Sequence, residues 1–166
     1  GDGLYEEIYG YGGRSFAIMD GNSGKIIYDS GNDIAVRTAF TGFFNWNEDA
    51  GSFDDRSDDK GAEPEAITVG EIDGKTYAFV GLERQGGIMM YDITGIIKPK
   101  FVGYFNGRNF FGDGTKMTGG DISPESLVFI PADKTPPAYK ALNNGPLLIG
   151  AYELSGSTAV YQISNN

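Results

Sequence analysis

Apolar and β-branched residues occur along this chain in short runs separated by turn-forming residues. The runs at residues 14–20 and 25–29 flank Gly21-Asn22-Ser23-Gly24, which is typical of a hairpin turn because Asn and Gly tolerate positive φ. The remaining runs predict strands at 66–71, 76–82, 88–93, 99–105, 126–130, 147–153 and 157–163, with a weaker candidate at 4–9. The pattern therefore predicts an all-β chain with little helix.

Two of the predicted strands begin with the same dipeptide. Pro64-Glu65 opens the strand at 66–71 and Pro124-Glu125 opens the strand at 126–130, so the two prolines lie 60 residues apart. A second set of strands ends at Asp20, Asp92 and Gln162, at intervals of 72 and 70 residues. Strands of this second set are almost wholly apolar, which predicts that both of their faces are covered. The repeats indicate copies of one small sheet.

The repeats divide a single domain, residues 1–166, into successive units. We predict a partial blade at 1–34, an acidic loop at 35–62, a full four-stranded blade at 63–106 and a partial blade at 121–164. A closed propeller needs about four to eight blades. We therefore expect two to three antiparallel four-stranded propeller-type blades, arranged as an incomplete propeller or an open β-sandwich. Open blades expose strand edges, so we expect a homo-oligomer, or the remainder of a larger propeller, to complete them.

Composition limits the chemistry that the chain can perform. Among 166 residues there are 23 Asp and Glu against 13 Lys and Arg, giving a formal net charge of −10, and there is no His or Cys. This charge argues against binding nucleic acid, which depends on Lys and Arg contacts to phosphates. Without His and Cys, a metal would have oxygen ligands, which favours Ca²⁺ or Mg²⁺. No apolar run approaches the roughly 20 residues that span a bilayer.

Acidic residues near the two Pro-Glu strand starts are candidates for a Ca²⁺ site. Glu65 and Glu125 occupy equivalent positions of neighbouring blades and should converge, and two carboxylates repel unless a cation, a proton or an arginine lies between them. The alternatives are that these glutamates cap backbone N–H groups, pair with Arg56 or Arg84, or take part in catalysis. The candidate metal ligands are Glu63, Glu65, Glu125, Asp121 and Asp59.

The acidic loop contains five aspartates, but their spacing differs from that of a calcium-binding loop, so solvated charge is favoured there. They are Asp49, Asp54, Asp55, Asp58 and Asp59.

Arg84 and Trp46 are candidate ligand-binding residues outside the acidic set. Arg84 could clamp an anion such as phosphate in a bidentate manner, although an ion pair with Glu65 or Glu83 is favoured. Trp46 follows Phe43 and could form a sugar-binding surface, although packing is favoured.

Three segments of the chain resemble the choice-of-anchor I proteins. They are Gly12-Gly13-Arg14-Ser15-Phe16, the run from Phe53-Asp54-Asp55-Arg56 to Glu63-Pro64-Glu65, and the run from Gly81-Leu82-Glu83-Arg84 to Tyr91-Asp92-Ile93. The resemblance extends from about residue 12 to 163, and it implies the closing blades of a secreted or surface-attached bacterial β-propeller. The chain departs from the family at Ala66 and Ser126, where glycine is usual.

These observations predict a non-catalytic extracellular or cell-surface module, structural or binding, that self-associates by completing its open blades. The resemblance implies an alternative, because some members of the family are alkaline-phosphatase-like. In that alternative a Ca²⁺-dependent phosphoesterase would place the metal, Glu65, Glu125 and Arg84 around a phosphate ester. A ligand- or glycan-binding module that uses Trp46 is a third hypothesis.

Overall fold

The computed structural model describes residues 12–48, 51–140 and 144–164, so the candidate strand at 4–9 and Asp49 lie outside the described residues. Within these ranges the chain forms three antiparallel sheets, which confirms the all-β prediction. The first sheet contains β1 (Ala17–Met19) and β2 (Ile26–Asp29). The middle sheet contains, in order, β3 (Pro64–Ile72), β4 (Lys75–Leu82), β5 (Ile88–Asp92) and β6 (Lys100–Phe105). The third sheet contains β7 (Pro124–Ile130), β8 (Leu147–Tyr152) and β9 (Thr158–Gln162).

Within the described residues, helix is confined to short segments. The predicted acidic loop at 35–62 includes most of α1 (Asp33–Thr38), which continues into a 3₁₀ turn at Ala39–Thr41. Asp33 and Arg37 form an ion pair of 2.7 Å along α1, while Ile34 is buried. So short a helix gives no usable periodicity, which explains the difference from the expectation. The other helical segments are 3₁₀ turns at Gly114–Lys116 and Ala132–Lys134, and α2 (Pro137–Lys140).

The middle sheet is covered on both faces. On one face it packs against the first sheet and α1, at what we term the first junction, through Phe16, Ile34, Ala62, Val80, Leu82, Met89 and Tyr91. On the other face it packs against the third sheet, at the second junction, through Ala66, Phe79, Ile88, Leu127 and Leu148. The two junctions supply the hydrophobic core.

The outer sheets have one uncovered face, which corrects the expectation for the apolar strands. The three apolar strands of the repeat correspond to β1, β5 and β9. β5 is largely buried, but exposed and half-buried residues alternate along β1 and β9. Met19 in β1 is 57 % exposed and Val160 in β9 is 38 % exposed. Among the described residues, no further sheet covers these outer faces.

Close packing at the second junction brings the two Pro-Glu segments together. A Cβ at Gly70 would lie 2.4 Å from the Phe129 ring, so only glycine lets β3 and β7 approach this closely. Pro124 lies against Gly81, where a Cβ would be 3.2 Å from the proline. The residue after Pro124, Glu125, is thereby placed at the end of β4.

Within the part of the chain that the structure describes, no helix has the length and apolar character needed to cross a membrane.

Candidate functional site: a glutamate cluster between two sheets

The Pro-Glu segments adopt the same backbone geometry in both sheets. The residue before each proline is in the left-handed region, with φ of 53° at Glu63 and 62° at Ser123. The strand pairing is irregular directly after each proline, so Glu65 and Glu125 are the extra residues of two equivalent β-bulges. A bulge turns its side chain away from the regular alternation of the strand.

A second glutamate follows the neighbouring strand of each sheet. Glu83 comes directly after β4, and its N–H donates to the Glu63 carbonyl oxygen at 2.7 Å. Glu153 comes directly after β8, and its N–H donates to the Ser123 carbonyl oxygen at 2.8 Å. These equivalent bonds hold Glu83 beside Glu63 in the middle sheet and Glu153 beside Ser123 in the third sheet, at the same end of each sheet.

The starts of β3 and β7 and the ends of β4 and β8 meet in one cluster of carboxylates. Oxygen atoms of Glu63, Glu65 and Glu83 lie within 4.8 Å of one another, and so do those of Glu83, Glu125 and Glu153. Glu83 belongs to both groups and links Glu65 to Glu125, the two residues that the repeat predicts to converge. We term these five residues the glutamate cluster.

Glu83, at the centre of the cluster, is only 5 % exposed. Burial raises the pKa of Glu83 to about 8, and a hydrogen bond with Glu65 together with the negative charges of Glu65 and Glu63 acts in the same direction. A proton or a cation therefore has to accompany this side chain for the cluster to be stable at neutral pH.

Three cationic side chains neutralise Glu63. Its Oε1 lies 2.5 Å from Arg56 Nη2 and 3.3 Å from Arg84 Nε, and its Oε2 lies 2.5 Å from Lys60 Nζ. Asp59 is 2.8 Å from Arg56 and extends this ion-pair network. Glu63 and Asp59, both candidate metal ligands, are therefore already paired with protein cations.

Arg84 lies between several acidic groups. It pairs with Glu48, with Glu63 and, at 3.1 Å, with Glu83. Glu48 in turn accepts a hydrogen bond of 2.8 Å from Ser123 Oγ. The guanidinium therefore connects the two sheets through carboxylates.

The third-sheet half of the cluster has a different charge balance. Glu125 and Glu153 are exposed, and among the described residues neither has a Lys or Arg within 4 Å. Together with Glu83 they offer oxygen donors at a spacing that suits a hard divalent cation.

The other predicted site residues lie apart from the cluster. The Asp121 carboxylate accepts hydrogen bonds from Ser157 Oγ at 2.7 Å and Tyr161 OH at 3.3 Å. Trp46 packs edge-on against Phe43 and Phe110, with ring centroids 5.5 and 5.8 Å away.

Sequence reasoning missed Glu83 and Glu153 as members of the site. A signal for them exists, because they lie 70 residues apart, the interval that also separates Asp92 from Gln162. Extending the repeat from the first strands to the second strands would have found both.

Comparisons with known proteins agree with the resemblance seen in the sequence. The curated protein Gigasin-3a from Magallana gigas is 27 % identical to the chain over 177 residues, which cover 98 % of this chain and 60 % of the relative. The chain thus spans about 60 % of the length of that relative. No solved structure matches the chain. The family model of the Choice-of-anchor I domain matches residues 1–96, more than half of the chain. The family is associated with cell-surface anchoring proteins, which indicates a surface or secreted module. The chain therefore belongs to the choice-of-anchor I family.

Proposed function

We propose that the chain is a non-catalytic module of the cell surface or extracellular space that self-associates by completing its open sheets. The observation that carries this proposal is the unequal strand number of the sheets, which have two, four and three strands within the described ranges. The middle sheet has four strands, so among the described residues β1 and β9 present edges at which a four-stranded repeat would continue. Unpaired edges readily add strands from another chain.

The native mass of the chain tests this proposal. We expect light scattering coupled to size-exclusion chromatography to show a mass that increases with concentration. A folded chain that remains a monomer at the highest accessible concentration would contradict self-association.

The glutamate cluster supports a second property, the binding of Ca²⁺ between the middle and third sheets. Glu83, Glu125 and Glu153 would supply the oxygens, because their oxygens lie within 4.8 Å of one another, whereas in the group with Glu65 the Glu63 carboxylate is already neutralised by three cations. The other two predicted ligands already have partners: Asp59 pairs with Arg56, and Asp121 accepts a hydrogen bond from Ser157. We therefore do not include them in the proposed Ca²⁺ site. Bound Ca²⁺ would offset the repulsion among these carboxylates and strengthen the second junction.

Calorimetric titration of the chain with Ca²⁺ tests this property directly. We expect Glu83→Gln to weaken Ca²⁺ binding by at least about tenfold, which corresponds to about 1.4 kcal/mol. Glu71→Gln is a matched control, because Glu71 is an exposed glutamate on β3 outside the cluster. Equal Ca²⁺ affinities of the two variants would place any Ca²⁺ elsewhere.

The phosphoesterase alternative has less support from the geometry. It needs the Arg84 guanidinium for a substrate phosphate, whereas that group pairs with Glu48, Glu63 and Glu83. The sugar-binding hypothesis for Trp46 likewise has less support, since the indole packs within an aromatic cluster. Hydrolysis of a generic phosphate ester by the chain in the presence of Ca²⁺ would favour the phosphoesterase over the non-catalytic module.

A further inference from the structure

The sequence contains two Asn-Gly dipeptides, Asn106-Gly107 and Asn144-Gly145, and the structure places them in different surroundings. In such a dipeptide the backbone nitrogen of the glycine can attack the carboxamide carbon of the asparagine. Glycine favours this attack because it has no Cβ to obstruct the approach. The carboxamide must turn toward the backbone to react, so its hydrogen bonds control the reaction.

The Asn106 carboxamide is held at both of its polar atoms. Nδ2 donates to the Tyr104 hydroxyl at 2.9 Å and to the Gln85 carbonyl oxygen at 3.4 Å. Oδ1 accepts a hydrogen bond of 2.9 Å from the Arg108 backbone N–H. The side chain is half-buried directly after β6, so it can turn toward the backbone only by breaking these bonds.

The Asn144 side chain is exposed in the loop between α2 and β8, and it makes no hydrogen bond with any other described residue. The backbone that follows it is anchored. The Gly145 carbonyl oxygen accepts a hydrogen bond of 3.0 Å from Thr135 Oγ1, and the Pro146 carbonyl oxygen accepts one of 3.1 Å from the Ile163 N–H. The glycine is therefore held in place, while the carboxamide of Asn144 can turn toward it.

We propose that Asn144 is a site of spontaneous deamidation, and that the fold protects Asn106 from the same reaction. The Gly145 nitrogen forms a bond to Cγ of Asn144, which closes a succinimide ring. The bond from Cγ to Nδ2 breaks, and the side-chain nitrogen leaves as ammonia with the proton of the Gly145 amide. Water then opens the ring at either carbonyl and gives aspartate or isoaspartate. The reaction consumes only water.

The modification changes the charge of the surface and leaves the sheets intact. Each reacted chain gains one carboxylate and therefore becomes more acidic than its formal net charge of −10. Asn144 lies outside the strands, and β8 begins only at Leu147, so the new carboxylate is in contact with water. The reacted chain should therefore remain folded and migrate faster toward the anode in native electrophoresis.

Incubation of the folded chain at mildly alkaline pH, in water labelled with a heavy oxygen isotope, tests the proposal. Trypsin separates the two dipeptides because it cleaves after Arg108 and Lys140. Mass spectrometry should show solvent oxygen in the peptide of Asn144, as separable aspartate and isoaspartate products. The peptide of Asn106 should react at least about tenfold more slowly, because its three hydrogen bonds must break first.

The chain unfolded in urea is the control, because the hydrogen bonds of Asn106 are lost there and both peptides should react at similar rates. Gly145→Ala places a Cβ beside the attacking nitrogen and should slow the reaction of Asn144 in the folded chain. The proposal is overturned if the two peptides of the folded chain react equally fast. It is also overturned if Asn144 stays intact in the folded chain over a period in which the unfolded chain reacts.

Discussion

The two copies of the Pro-Glu bulge have the same backbone geometry, but only one of them has cationic side chains as neighbours. In the middle sheet the residue before the proline is Glu63, which is paired with three cationic side chains. In the third sheet the equivalent residue is Ser123, and the exposed Glu125 and Glu153 nearby have no cation within 4 Å among the described residues. Glu63 of the first copy is therefore neutralised by cations of the protein, while the second copy can accept an external cation.

This difference separates structural from binding roles within one cluster. Removing the charge of a buried carboxylate that pairs with several cations destabilises the folded protein, because the cations then lose their partner. An exposed carboxylate among like charges has little effect on stability but contributes to the affinity for a cation. The predictions that follow test this separation.

Among the substitutions, the largest effect on stability is expected for Glu63→Gln. This change removes the common partner of Arg56, Lys60 and Arg84, and we expect it to lower the free energy of unfolding by about 3 kcal/mol. At the equivalent position, Ser123→Ala removes one hydrogen bond to Glu48 and should cost about 1 kcal/mol. Urea denaturation of both variants measures the difference. Equal losses of unfolding free energy in the two variants would show that the ion pairs of Glu63 do not make the first bulge more important for stability than the second.

A smaller effect is expected where the two bulge-bearing strands touch. Gly70→Ala places a methyl group against the Phe129 ring and should cost about 1–3 kcal/mol through overpacking. Gly103→Ala is the matched control, because a Cβ there meets no atom within 4 Å and a methyl should be accepted. Thermal unfolding compares the two, and an unchanged midpoint for Gly70→Ala would mean that the sheets can separate without loss.

The sequence predicts the sheets well because their signals are local. Turn residues such as Gly21-Asn22-Ser23-Gly24 and the alternation of apolar runs place every described strand within three residues of its predicted limits. α1 was not predicted, because its stability depends on tertiary contacts such as the burial of Ile34. The partly uncovered faces of β1 and β9 were also missed, since an apolar strand does not indicate whether another sheet lies against it.

The site was harder to predict because it depends on contacts between distant segments. The repeat predicts that Glu65 and Glu125 converge, and the structure places each of them in a group of three carboxylates that includes Glu83. The approach of these groups depends on the packing of Pro124 on Gly81, which the repeat does not indicate. The ion pair of Arg84 with Glu48 also joins residues far apart in sequence, and no spacing rule indicates it.

The pH dependence of stability provides a test of the centre of the cluster. The folded-state pKa of Glu83 is raised from 4.5 to about 8, so between these values the folded chain holds a proton that the unfolded chain has lost. Stability therefore falls as the pH rises through this window, by up to about 1.4 kcal/mol per pH unit from this group. In the presence of a chelator, we expect Glu83→Gln to have a flatter profile than the wild type. Parallel profiles would show that Glu83 does not titrate in this range.

The smallest effect on stability, less than about 0.5 kcal/mol, is expected for Glu125→Gln in the presence of a chelator. The side chain is exposed and close to Glu83 and Glu153, so removing its charge relieves repulsion and should leave stability unchanged or slightly increased. In Ca²⁺ the same variant should lose the thermal stabilisation that the wild type gains, because one ligand oxygen has lost its charge. Differential scanning fluorimetry with and without Ca²⁺ measures both quantities. A marked loss of stability in chelator would show that Glu125 is as structural as Glu63, and that the two bulges do not divide their roles.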